Sequence, residues 1–411
     1  NQKTGQVKIY QRNGSVWNQL GQNIHGNQNN GETGNHRFGI STSLSSDGYT
    51  IAIGAPGANY SEELDEEWGW LAGSNGRVRI YKYNGTSWVQ VGQDIFSNIP
   101  ATPESWGSIS INSDGSIVAI GDAFFDGSIT NIPTQNPDEV IVVEGCVDEN
   151  ATNFDSTANV QEFTQSGYSS CIYESCDDAP GMGCLYSDGW EEYNLVEGIS
   201  INDCYGESCG SRPGHVRIYH WNGSTWNQLG QDLNGNINYD NYFGKSLSLS
   251  SDGYTIVIGA PGEDDGYWYN GKAIIYNWNG IPWEQKGSDI IGQTQNENCG
   301  ESVAISSDGN IVAVGCDGGW SGGVLEGAGT VRTYYYNGSS WNQIGNDIYG
   351  EHESAQSGSS LSLSSDGLYL VSGSMNNNGN GYEAGSARVY KNNSFAACPY
   401  EIYLEYEENA S

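Results

Sequence analysis

The chain has 411 residues, 50 of them Asp or Glu and 15 Lys or Arg, for a formal charge of −35. Only 16% of residues are charged, below the roughly 25% of an average soluble chain, and Asn, Ser, Gln and 58 Gly carry the polarity instead. So negative a chain repels phosphate backbones, no run approaches the ~20 apolar residues of a spanning helix, and 12% aromatics exclude a disordered acidic chain. Gly-rich, Tyr/Trp-rich composition with two Met points to an all-β protein of many short strands and turns.

The polar start Asn1-Gln2-Lys3-Thr4 lacks both Met and an apolar signal core, as expected of a trimmed secreted chain. Gly5 to Ile24 reads as the second half of a unit that lacks its first half. The first full copy follows. It opens at Phe38-Gly39, runs through SLSSDGYTIAIGAPG (43–57) and ends with GRVRIYKYNGTSWVQVGQDI (76–95). Alternating Ser and Leu, a tight SDG turn and TIAIG predict one hairpin; VRIY, an Asn-Gly turn and the Trp segment predict a second.

The second copy begins at Trp106-Gly107, the third at Phe243-Gly244, the fourth at Cys299-Gly300 and the fifth at Ser357-Gly358. The SDG aspartates at 47, 114, 252, 308 and 366 are spaced by 67, 138, 56 and 58 residues. The second half recurs at Gly214, Gly271, Gly329 and, degenerately, Gly385. Four short strands at a period near 57 predict a β-propeller of four-stranded antiparallel blades, six favoured, with five or seven compatible. Residues 1–121 and 214–411 supply it.

The spacing of 138 marks a cysteine-rich insertion, 122–213, holding Cys146, Cys171, Cys176, Cys184, Cys204 and Cys209. Six cysteines in an acidic, glycine-rich segment predict a disulfide-stapled minidomain in an oxidising compartment, with fifteen pairings open. Asp148, Asn150 and Asp155 are candidate oxygen ligands for Ca²⁺; the alternative is a solvated acidic loop. No cofactor is otherwise required, and no Cys/His spacing suits zinc.

Cys299 and Cys316 flank the fourth SDG turn symmetrically, so they face each other across two antiparallel strands and are expected to form a disulfide. Cys398 is left over. Sequons at Asn13, Asn59, Asn84, Asn150, Asn222, Asn337, Asn392 and Asn409 are candidate glycosylation sites. Asn13, Asn84, Asn222 and Asn337 share one turn position, where a glycan at the outer hairpin tip leaves packing undisturbed; Asn-Gly is also a preferred hairpin turn in its own right. The tryptophans at 17, 88, 226, 283 and 341 are expected between blades. The cations Lys8, Arg79, Arg217, Arg332 and Arg388 are expected on the blade surface.

Phe38-Gly39 with Gly54-Ala55-Pro56, and Phe243-Gly244 with Gly259-Ala260-Pro261, resemble the FG-GAP repeat of integrin α-subunit heads and of secreted microbial and algal surface proteins. The resemblance implies an extracellular adhesion or scaffold propeller that binds through variable loops, without catalysis. The family's calcium loop is replaced by a short Ser-Asp-Gly turn with one carboxylate, too few oxygens for Ca²⁺. GCVDENATNFDSTANV (145–160) resembles a Cys-bracketed, Asp/Asn-rich repeat of secreted microbial proteins, which would pair Cys146 with Cys171.

No nucleophile elbow, P-loop or His cluster is present, and adjacent acids such as Asp264-Asp265 or Glu62-Glu63 are expected by chance among so many. The sequence therefore reads as a non-catalytic, secreted or surface glycoprotein whose partners are extracellular proteins, glycans or copies of itself. Its alternatives are a subunit of an extracellular filament and a secreted carbohydrate-binding protein or glycoside hydrolase.

Overall fold

A computed structural model describes residues 5–26, 37–55, 74–101, 108–123, 212–236, 241–263, 269–280, 282–318, 326–378, 381, 384–392 and 404–406, with four two-residue strands between 144 and 195. The chain divides into two compact units, one of 1–124 and 213–411 and the other of 125–212. No helix among the described residues is long and apolar enough to cross a membrane.

The larger unit contains five antiparallel sheets, at 42–101, 108–234, 246–291, 299–349 and 357–406, whose strands pair in sequence order; in the second, the chain of 125–212 intervenes between the second and third strands. These are blades I to V. Blade IV shows the plan: Cys299–Ile305, Ile311–Cys316, Thr330–Tyr336 and Trp341–Tyr349 pair in that order. Ahead of blade I stands a half-blade of two small pairings, Gln6–Val7 with Ile24–His25 and Tyr10–Asn13 with Val16–Gln19. The described architecture is thus five four-stranded blades and one half-blade.

The SDG tip is held by its own aspartate. Asp252 Oδ1 accepts from Ser250 Oγ at 2.6 Å and from the Tyr254 amide at 2.9 Å, and Asp47, Asp308 and Asp366 do the same. Each carboxylate closes a turn, which is the physical reason it sits in every copy. Next to it a serine links blade to blade: Ser46 N donates to Ser113 O, Ser113 N to Ser251 O, Ser251 N to Ser307 O and Ser307 N to Ser365 O. The first strands of all five blades are thereby drawn together.

Farther out, the repeated Trp plugs each blade into the one before. Trp88, Trp226, Trp283 and Trp341 donate from Nε1 to the carbonyls of Leu20, Val91, Leu229 and Lys286. Gln22, Gln93 and Gln231 clasp the backbone of the first three. Trp17, on the half-blade, has no described blade before it and stands 64% exposed. Aliphatic side chains fill the remaining space between neighbours: Ile117, Val216 and Ile218 of blade II meet Leu249, Ile256 and Ile258 of blade III in one core cluster. Burying a side chain of this size contributes about 1.5–3 kcal/mol, so each interface adds several such contributions.

Candidate functional site

Antiparallel order puts the SDG and Asn-Gly tips on one side of the unit and the FG and GAP corners on the other. The corners are where neighbouring backbones come closest. A Cβ added at Gly259 would lie 2.0 Å from the Gly300 carbonyl oxygen, and Gly300, at φ +93°, would set its own Cβ 2.3 Å from Lys272 O. Only glycine serves at both places. The residue before each FG position is also left-handed: Arg37, Tyr242, Asn298 and Gln356 have φ between 48° and 55°. Three of those four are not Asn or Gly, so the corner face holds backbone strain of order 1 kcal/mol at each.

In blade IV a bulge follows. Cys299 pairs with Cys316, and Ser302 with Gly315, so Gly300 and Glu301 are extruded from the ladder. The bulge re-aims Glu301, as bulges beside functional sites do. Glu301 meets Lys245 of blade III at 3.4 Å, and both remain partly open to solvent. Asp317, directly after Cys316 and largely buried, accepts from Asn298 Nδ2 at 3.3 Å. Burial raises the Glu301 carboxyl, and the Asp317 charge raises it further against the pull of Lys245. Burial likewise raises Asp317 against its Asn298 hydrogen bond and Lys245. Two carboxyls held above their usual range beside an ammonium group form a general acid–base constellation.

Beneath this pair lies a rigid support. Cys299 and Cys316 form the expected disulfide, and Arg332 Nη1 points at both sulfurs, 3.5 and 3.7 Å away. The same guanidinium binds Glu297 at 2.5 Å and Asp347 at 2.9 Å. Glu297, Cys299 and Cys316 cluster tightly enough to resemble a metal site, but the two sulfurs are bonded to each other and are not thiolate ligands.

The repeated cations require correction. Arg79, Arg217 and Arg332 are not surface charges; they pair with Asp94, Asp232 and Asp347 at 2.8, 3.0 and 2.9 Å. In blade III, Ile274 takes the arginine's place, and Lys272, two residues earlier, reaches Asp289 and Glu263 at 3.2 Å. Arg388 pairs with Glu351, and Lys8 is exposed. Burial by itself would raise Asp94 and Asp347, but hydrogen bonds from Arg79 and Arg332 outweigh it and hold both low. His215 lies at the same level of blade II, its pKa pushed down to about 3 by burial and by the Arg217 charge.

Of the sequons, Asn13, Asn84, Asn222 and Asn337 lie exposed at hairpin tips. In the last three the side-chain carbonyl caps the turn, accepting from the amides of the next residues but one and two. The hydroxyls of Thr86, Ser224 and Ser339 donate to the same oxygens, and that bond favours Asn with Ser or Thr two residues on. Asn392 is buried in its strand and does not sit at a tip, because the degenerate fifth copy is offset by one residue. Asn59, Asn150, Asn409, Cys398 and the calcium candidates Asp148, Asn150 and Asp155 lie outside the described residues, as do the side chains of Cys146, Cys171, Cys176, Cys184, Cys204 and Cys209.

No family model and no curated protein matches the chain. Solved structures that resemble it are β-propellers. A periplasmic gluconolactonase of Pseudomonas aeruginosa is 11% identical over 98% of this chain and 78% of its own, with a TM-score of 0.47. A putative 6-phosphogluconolactonase from Bacteroides uniformis is 11% identical over 98% and 94%, at 0.40. The propeller domain of the Trilobed protease from Pyrococcus furiosus is 11% identical over 89% and 68%, at 0.36. None of these three is an integrin-type protein, and likeness at this level speaks to fold alone.

The expectation of a non-catalytic adhesion or scaffold protein, with its filament and carbohydrate-binding alternatives, is corrected at this point. Several of the similar structures, the two lactonases among them, carry the names of enzymes, and the corner of blade IV holds two acids that a search for adjacent acids overlooked. Glu301 and Asp317 are 16 positions apart in sequence, and the hairpin with its bulge brings both within the field of Lys245.

Proposed function

We propose that the corner between blades III and IV is a hydrolytic site acting on a small, uncharged ester or lactone. The observation that carries this reading is the Glu301–Asp317 pair, both carboxyls raised by burial and both within the field of Lys245. Glu301, in contact with Lys245 at 3.4 Å, takes a proton from water as the water adds to the carbonyl carbon. Lys245 stabilises the oxyanion that forms. Asp317, the more buried acid, delivers its proton to the departing alkoxide as the C–O bond breaks, leaving an acid and an alcohol.

Hydrolysis of δ-lactones and aryl esters, followed at constant pH, tests the proposal. Glu301→Gln and Asp317→Asn are each expected to lower kcat/KM by about 100-fold or more with an unchanged Tm. Turnover equal in all three proteins, or no turnover above buffer in the native chain, removes it.

An exported location accompanies this reading. It is supported by the buried disulfide, which persists in oxidising compartments, and by the four exposed sequons. The FG-GAP type of repeat is supported by Phe38-Gly39 and Phe243-Gly244 with their corner glycines.

A further inference from the structure

We infer that Tyr269 is the specificity residue of the corner between blades III and IV, and that its ring meets an aromatic ring of the substrate, which makes that substrate an aryl ester. The inference deepens the hydrolytic reading above and rests on it.

The backbone points to Tyr269 first. Its φ is +53°, in the left-handed region that glycine occupies freely and that costs a bulky side chain free energy. The next corner shows which residue suits the position. Between blades IV and V the amide of Gln356 donates to Gly327 O and that of Ser357 to Ala328 O; between blades III and IV, Asn298 donates to Tyr269 O and Cys299 to Asn270 O. These bonds set Tyr269 in register with Gly327, which has φ +66°. The facing segment keeps one conformation at both corners: Asn296 and Ser354 have φ 55° and 59°, Asn298 and Gln356 53° each. The same backbone demand is met by glycine at one corner and by tyrosine at the other.

Burial does not offset the cost. Tyr269 is 48% exposed, whereas Asn270 beside it is 1% exposed. A strained residue that gains little from packing is kept for what its side chain does.

The position is also fixed beside the chemistry. Asn298, whose amide binds the Tyr269 carbonyl, holds Asp317 with its side chain and takes the Glu301 amide on its own carbonyl. One residue thereby connects Tyr269 to both acids. Two residues on, Gly271 donates to Glu263 O and accepts from the Gly292 amide, so the turn that carries the ring is tied down. A ring on such a base holds its place when a ligand arrives.

A phenol face open to water, beside two acids in a chain of net charge −35, suits a neutral, flat, apolar group. An aryl ester supplies one. Water adds at the acyl carbon and the acyl C–O bond breaks, giving a carboxylic acid and a phenol with no further reactant.

The test measures kcat/KM of the full chain on phenyl acetate and on trifluoroethyl acetate, an activated ester without a ring. Tyr269→Gly and Tyr269→Leu are expected to lower the phenyl-to-trifluoroethyl ratio about tenfold, through KM for phenyl acetate, and Tyr269→Phe to preserve it. An unchanged ratio in the Gly and Leu variants overturns the inference. So does a Phe variant that loses as much as the Leu variant, which would assign the effect to the hydroxyl. Acetanilide, with NH in place of the ester oxygen of phenyl acetate, separates this inference from the hydrolytic reading. Titrated by NMR, it should bind the native chain and the Phe variant, and bind the Gly variant about tenfold more weakly. That pattern in a chain that hydrolyses no ester would remove the hydrolytic reading and leave Tyr269 as the partner of the ring. Equal binding by the native chain and the Gly variant, or no binding by either, overturns the inference.

Discussion

The two sides of the propeller unit are built from the same repeats but obey different rules. On the SDG side every copy does the same thing: an aspartate closes its turn and a serine links one blade to the next. On the corner side the backbone repeats while the side chains diverge. The position after the FG glycine holds Ile40, Lys245, Glu301 or Ser359, and the position after the second strand holds Pro56, Pro261, Asp317 or Met375. Repetition of backbone fixes the first side because its bonds join neighbouring copies, and any copy that departed would break two interfaces. The corner residues project from bulges and glycine turns, so each can change without disturbing the ladder beneath.

That contrast predicts blade-specific effects on the corner side and uniform ones on the SDG side. The largest should be at His215. Its pKa is near 3 in the fold against 6.5 for the free side chain, so the unfolded chain binds the extra proton first. The associated stability is present above pH 6.5 and lost as pH falls toward 3, on the order of 5 kcal/mol in all. Urea unfolding across that window should show His215→Gln with a flatter profile than the native chain; parallel profiles would mean that His215 is not the titrating group.

Next comes the blade IV disulfide, which closes a separation of 17 residues. Replacing both Cys299 and Cys316 by Ala should cost about 3 kcal/mol by loop entropy. The accompanying rise in hydrogen exchange should be confined to blade IV and its contacts. Exchange rising evenly in all blades would contradict the independence of the corners.

The smallest effects belong to the SDG turns. Asp47→Ala and Asp308→Ala should each cost about 1 kcal/mol, one turn's worth of hydrogen bonds. Bonds from Ser45 and Tyr49 hold the Asp47 carboxyl low; at Asp308 those from Ser306 and Asn310 do so against burial. Their contribution is therefore present above the ordinary carboxyl pKa of 3.8 and disappears as pH falls below it. Chemical denaturation at pH 7 should give matching losses at the two sites; a several-fold difference would break the equivalence of this side.

Much of this was legible in the chain. Alternation, Asn-Gly and SDG turns are local signals, and they place both hairpins of each blade, the interblade tryptophans and the Cys299–Cys316 bridge. The partners of the repeated cations were not legible. Asp94, Asp232 and Asp347 lie 15 residues downstream, Asp347 within the last strand of its blade and the other two just ahead of a short end strand, and the outward alternation of VRIY gives no sign that its arginine is paired there. Asn392 shows the opposite failure, a correct motif displaced by one position from its turn.

The sequence by itself determined the repeat, its hairpins and the strongly acidic balance of 50 acids against 15 bases. These follow from turn chemistry and a period of two, which act over a few residues. Only the tertiary structure decided which of those charges are buried and paired, and that Lys245 reaches Glu301 close enough to Asp317 for their charges to act on one another. Burial and proximity arise when blades stack and a bulge turns one side chain out of its ladder, and neither event leaves a periodic mark in the chain.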